Sequence, residues 1–269
     1  MNTTVRICVF FGLMCVAVMG ALAQSNPGPV LQLQHPWQSQ SPYSTADAYF
    51  TNLENNAVIE TPFVIKFGLS GGWGLSAITS PVSGKSGHHH LLVNRDLPLD
   101  FKQALPFTEQ YIHFGKGQME SVLNLKPGKY TLRLLLADHN HLPHFVFSKP
   151  LTVTVSRNNP GTAAPAAKGI ALLNIAPGAQ LKSPFLVRLH ASQLNVGPRV
   201  QKEKDTGHFR LTIQPKDGTK PAEIVLDGGQ TEVWIKPPPG AYSLNLELLD
   251  NANPGKFLAG AVTTPVQVQ

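Results

Sequence analysis

Ser243-Leu244-Asn245-Leu246-Glu247-Leu248, entered through Pro239-Gly240, sets a leucine at every second position with a polar residue between. Side chains of an extended strand alternate between its two faces, so this pattern predicts a strand with one apolar face on a core. An earlier string repeats it: Pro127-Gly128-Lys129-Tyr130-Thr131-Leu132 answers Pro239-Gly240-Ala241-Tyr242-Ser243-Leu244. The correspondence spreads outward. Thr61-Pro62-Phe63-Val64-Ile65-Lys66 matches Ser183-Pro184-Phe185-Leu186-Val187-Arg188, Lys85-Ser86-Gly87-His88 matches Asp205-Thr206-Gly207-His208, and Gly117-Gln118-Met119-Glu120 matches Gly229-Gln230-Thr231-Glu232. Short alternating segments broken by Pro/Gly turns, with no helical period held over three turns, predict an all-β chain: two tandem immunoglobulin-like β-sandwich domains.

The expected domains are 47–155 and 169–269, joined by a linker at 156–168 that carries Asn158-Asn159-Pro160-Gly161 and an Ala/Pro run. Residues 24–46, rich in Gln, Ser and Pro, read as a flexible leader. Residues 1–23 read as a cleaved signal peptide, with Arg6 at the positive end, an apolar Ile7 to Gly20, and Ala21-Leu22-Ala23 at the cleavage site. The protein is therefore expected to be periplasmic or secreted, with no transmembrane segment in the mature chain. Both cysteines, Cys8 and Cys15, fall inside the signal, which removes disulfides and thiol chemistry from the mature protein.

The formal charge is +6, and the excess lies in the second half, where Arg199, Lys202, Lys204 and Arg210 form either a face toward envelope polyanions or a solvated surface. Export argues against nucleic acid as a partner.

Seven of the ten histidines fall between His88 and His144, as His88-His89-His90, His113, and His139-Asn140-His141-Leu142-Pro143-His144. The second copy fixes their faces. Phe209, Leu211 and Ile213 make its inward face, so His89, Leu91 and Val93 point inward while His88 and His90 point outward. Leu132, Leu134 and Leu136 match the inward leucines. If that strand stays extended, His139 and His141 share the outer face, Pro143 ends the strand and His144 enters a loop. Histidines two apart on one face can converge on an ion, so His88/His90 and His139/His141 are the expected chelating pairs, with His113 assisting and His89 and His144 in reserve. Asp138 is a candidate to orient a ligating ring, or a turn cap like its counterpart Asp250. The second copy keeps His208 opposite His88 but sets Phe209, Arg210, Val225, Asn251 and Asn253 opposite His89, His90, His113, His139 and His141. Metal capacity therefore belongs to the first domain.

Imidazole donors favour Cu(II) or Zn(II); the mature chain's single thioether, Met119, argues against a cuprous site, and no carboxylate cage offers itself to calcium. The competing reading is an envelope structural or adhesion module that recognises glycan or protein through loops, with structural histidines. Neither Gly-x-Ser-x-Gly, His-Glu-x-x-His nor a phosphate-cradling loop is present, so the chain is not expected to be an enzyme.

The strings Gly87-His88-His89-His90-Leu91-Leu92-Val93, His113-Phe114-Gly115-Lys116-Gly117-Gln118 and Leu134-Leu135-Leu136-Ala137-Asp138-His139-Asn140-His141-Leu142-Pro143-His144 resemble the bacterial domain-of-unknown-function family 4399. The full signature covers residues 50–155, and 169–269 carries a degenerate copy that keeps the framework and lacks most signature histidines. The resemblance implies an exported all-β domain and brings no activity with it.

Overall fold

The computed structural model describes residues 35–82, 84–98, 100–161 and 167–269. The expected signal at 1–23 and the first part of the expected leader lie outside the described residues, which contain strands and no helix. In chain order the strands are β1 (Gln38–Ser39), β2 (Ala48–Phe50), β3 (Ala57–Thr61), β4 (Phe63–Leu69), β5 (Gly74–Leu75), β6 (Ser86–Val93), β7 (Tyr111–Phe114), β8 (Glu120–Leu123), β9 (Gly128–Ala137), β10 (Pro143–Phe147) and β11 (Leu151–Asn158). The second half supplies β12 (Gly169–Leu172), β13 (Ala179–Leu181), β14 (Phe185–Ser192), β15 (Asn195–Val196), β16 (Thr206–Pro215), β17 (Ala222–Leu226), β18 (Glu232–Ile235), β19 (Gly240–Asp250) and β20 (Val262–Val268).

Each half is a sandwich of two sheets. In the first, β2-β4-β8 faces β3-β11-β9-β6-β5, with β7 added to β6 and β10 to β9. In the second, β18-β14-β12 faces β13-β20-β19-β16-β15, with β17 on β16. The alternation of the quoted leucines explains the layering. Leu91, Leu132, Leu134 and Leu136 lie buried against Ile65, Phe67 and Leu69, and Leu244, Leu246 and Leu248 lie buried in the same apolar cluster, which runs through both halves. Each such leucine contributes about 1.5–3 kcal/mol of transfer free energy. After each Pro-Gly turn the tyrosine hydroxyl donates to a carbonyl four residues upstream, Tyr130 to Lys126 (2.9 Å) and Tyr242 to Pro238 (2.8 Å), as in the tyrosine corner of immunoglobulin-like sandwiches. Thr61–Pro62 and Ser183–Pro184 are both cis.

Three expectations about the connecting segments change. Part of the leader is a strand: β1 pairs with β18 of the second sandwich, and Trp37 packs edge-on against Tyr242 at 5.8 Å. The linker begins later than 156, because β11 continues to Asn158 alongside β3 and Arg157 pairs with Glu60 at 2.7 Å. Pro143 opens β10 rather than ending a strand, which places His144 within a strand; proline is tolerated as a first strand residue.

The repeated Gly-Gln-x-Glu motif builds the contact between the sandwiches, and does so reciprocally. Val196 N donates to Gly117 O and Leu75 N to Gly229 O, both at 2.8 Å. Gly117 and Gly229 each have φ near +81°, and a Cβ on either would meet the facing carbonyl oxygen of Val196 or Leu75. Only glycine suits both demands. The motif glutamates also cross over: Glu120 accepts from His190 (3.0 Å) and Ser192 (3.2 Å), and Glu232 accepts from the Tyr49 hydroxyl (2.7 Å). Gln201 adds a peptide-like pair of bonds to Ala77 N (2.9 Å) and O (2.8 Å).

Candidate metal centre

β6 lies between β7 and β9. Its register sets His90 directly opposite His113 on β7, and His88 opposite Ala137, the last residue of β9. Residues paired across neighbouring strands share a face, so His113 joins His88 and His90 by pairing alone. The fourth ring comes from the β9–β10 turn. Asp138 Oδ1 accepts from Asn140 N (2.8 Å) and Leu142 N (2.9 Å), while His141 N donates to Asp138 O (2.9 Å). This Asx-type turn stops the extended course at Ala137 and puts His141 in the left-handed region, φ 64°. The ring of His141 then turns back over the sheet.

One ring nitrogen from each of His88, His90, His113 and His141 lies within 4.8 Å of the others. The Nε2 atoms of His88 and His90 are 2.9 Å apart and those of His113 and His141 3.3 Å. Such gaps hold either one shared hydrogen or an ion. His139, expected to pair with His141, is exposed on the turn and outside this group, because the turn rather than an extended strand carries it. His113, expected only to assist, is one of the four.

The outer face of β6 and β9 is not open to water. Residues 94–98 and 100–110 fold over it, and Leu105 packs with Leu92, Leu135 and Ala137 while Leu97, Phe101, Tyr111 and Phe147 surround them. Leu105 N donates to His141 O (2.9 Å), tying this loop to the turn. His88 and His90 are consequently 1% and 0% exposed, and His113 and His141 are half-buried at the rim. Phe107, 67% exposed, sits over that rim, 4.6 Å from the His141 ring and 5.3 Å from His113. Neither Phe107 nor the covering loop was singled out by the sequence reading. The signal was there: Leu97, Phe101, Leu105 and Phe107 punctuate a stretch that has no counterpart between β16 and β17.

Burial, followed by repulsion from the neighbouring imidazoles, pushes His88 down to about 2 and His90 down to about 3. Burial and then His141 lower His113 as well. His88 and His90 are thus neutral at ordinary pH, the form that coordinates metals. Among the described residues His90 Nδ1 has no hydrogen-bond partner, so packing and the contact of its Nε2 with His88 set that ring's orientation.

The reserve histidines stand apart. His89 is fully buried on the inner face, 5.4 Å from the Phe67 ring, with both ring nitrogens unpartnered among the described residues, at a cost of about 1–3 kcal/mol for each unmet polar group. His144 packs on Trp73 at 4.7 Å. Asp138 holds the turn that presents His141; among the described residues it makes no hydrogen bond to any of the four rings. In the basic group, Arg210 is engaged by Glu247 at 2.7 Å and Lys202 by the carbonyls of Arg199 and Asn251.

No curated protein matches the sequence. Among solved structures, the chain resembles the fibronectin(III)-like modules of Clostridium thermocellum CbhA, at 11% identity over 82% of this chain and 94% of that one, with a TM-score of 0.26. It also resembles a two-domain fibronectin type III segment of chicken tenascin, at 14% identity over 82% and 97%, with a TM-score of 0.24. The family model for DUF4399, a domain of unknown function, matches residues 65–156 and again 187–269, and the chain belongs to that family as a tandem pair.

Proposed function

We propose that this protein binds a divalent transition metal, Cu(II) or Zn(II), through His88, His90, His113 and His141, and works outside the cytoplasm as a metal carrier or sequestering protein. The observation that carries the reading is the convergence of four imidazole donors within 4.8 Å. The neutral state of His88 and His90 supports it, since an ion then need not displace protons from that buried pair. Four protein donors fill a four-coordinate ion, which favours holding the ion over catalysis with it. Export rests on the signal-like residues 1–23.

The test is metal content and titration of protein purified without a histidine tag. About one equivalent should be retained, with a rise in melting temperature on adding metal to the stripped protein. His90→Ala combined with His141→Ala should abolish both; unchanged affinity in that double variant rejects the site.

A second reading is favoured by the exposed Phe145, 79% accessible and stacked on Phe101 at 4.4 Å. In that reading the first sandwich is a non-enzymatic envelope module for glycan or protein. Chelator-insensitive binding to isolated envelope fractions, lost in Phe145→Ala, would favour it.

A further inference from the structure

The six separations between the four ring centroids run from 4.6 Å (His88–His113) to 5.6 Å (His90–His141), with the others at 4.8, 4.9, 5.1 and 5.1 Å. When each imidazole points a ring nitrogen at one ion, the ring centroids extend the metal–nitrogen lines, so a square set has centroid diagonals about 1.4 times its edges, and any four positions of an octahedron include a trans pair in the same ratio. Here the longest separation exceeds the shortest by a factor of only about 1.2, closer to the equal edges of a tetrahedron. The topology explains this. His88, His90 and His113 stand on one sheet face, and the fourth ring descends from the β9–β10 turn above them. Two i, i+2 pairs on adjacent strands, as His88/His90 with His139/His141 would have been, make a rectangle instead.

We infer that the centre holds its ion in tetrahedral four-imidazole coordination, which makes zinc rather than cupric copper the fitting occupant. This rests on the metal-binding reading above. Zn(II) has no electronic preference that resists a tetrahedron, and at Zn–N distances of about 2.0–2.1 Å its ligand atoms lie about 3.3 Å apart. The His113 and His141 Nε2 atoms already have that spacing, 3.3 Å. Cu(II) favours tetragonal nitrogen sets. Sulfur that would draw Cu(I) is absent from the site; Met119 lies in the core.

The experiment is titration of the untagged, metal-stripped protein with Co(II), Zn(II) and Cu(II). Tetrahedral Co(II) absorbs visible light far more strongly than octahedral Co(II). An intense band saturating near one equivalent, displaced by one equivalent of Zn(II), is the expected result. His139→Ala should keep the band and His113→Ala should lose it; loss in His139→Ala instead would overturn the assignment even if His113→Ala fails to fold. Pale octahedral Co(II), or a Cu(II) spin-resonance signal of ordinary tetragonal form with no Zn(II) uptake, would sink the tetrahedral assignment and leave metal binding standing. Uptake of none of the three ions would remove the binding reading and this inference together.

Discussion

The two sandwiches share strands, turns and leucines, yet at one place they do opposite things. Where the first sets His90 beside Leu135 on β9 and His113 on β7, the second sets Arg210 beside Glu247 on β19 and Val225 on β17. Arg210 and Glu247 meet at 2.7 Å and neutralise one another. His208, the counterpart of His88, bonds to Asn251 Oδ1 at 2.5 Å, and that amide donates to the carbonyls of Gly197 and Pro198. The second module thus closes its polar contacts internally, while the first leaves nitrogens facing nitrogens. The same pattern of strand pairing supports a satisfied network or an ion site, depending on three or four side chains and one covering loop.

The sharpest break in that comparison is His90→Arg, which writes the second module's residue into the first. Leu135 offers no carboxylate, so a buried unpaired guanidinium should cost about 3–5 kcal/mol in chemical denaturation, and metal affinity should fall by more than about 100-fold in calorimetry. Arg paired with Leu135→Glu should recover much of the stability and none of the affinity.

Acid should separate the modules next. His88 and His90 take up protons only near about 2 and about 3 in the folded protein, whereas the unfolded chain does so near about 6.5. The unfolded state therefore binds more protons, so their stabilising contribution is complete above pH of about 6.5 and drains away as pH falls toward the folded values. The urea midpoint of the metal-stripped protein should drop between pH 7 and pH 5. Replacing both rings with asparagine should make that profile shallower, leaving among other parts the one due to His89, which burial also pushes down to about 3; an equally steep one would place the titration elsewhere.

Asp138 and Asp250 make a matched pair of smaller effects. Asp250 Oδ1 accepts from Ala252 N (2.8 Å) and Asn253 N (3.2 Å), so each aspartate caps the same turn in its own module. Alanine at either should cost about 1 kcal/mol, but only Asp138→Ala should weaken metal binding, by about 10-fold, because only that turn presents a ligand. Phe107→Ala should barely move the melting temperature and should speed metal release to a chelator in stopped flow.

The alternation of Leu244, Leu246 and Leu248, the Pro-Gly turns and the internal duplication made the layered β architecture legible, because a strand's faces are written locally. The shared face of His88 and His90 was legible for the same reason. His113 and His139 were harder. The partner of His90 across the sheet depends on how β7 returns after residues 94–110, and the ring of His141 depends on a left-handed turn; neither follows from an i, i+2 rule. Burial of the outer face was hidden because the loop that covers it is polar in part and irregular. The pairing of β1 with the second sandwich joins Gln38 to Ile235, a distance along the chain that no local pattern encodes.

The reciprocal Gly117–Val196 and Gly229–Leu75 contacts have the form of a self-complementary dimer interface, made here between halves of one polypeptide. Between separate chains such an interface would come apart on dilution. A tether replaces that bimolecular equilibrium with an effective local concentration of order millimolar, independent of how much protein is in solution. A protein released into a large or variable volume would keep its histidine-poor half attached at any abundance, and that half would go on buttressing the module that carries the four rings.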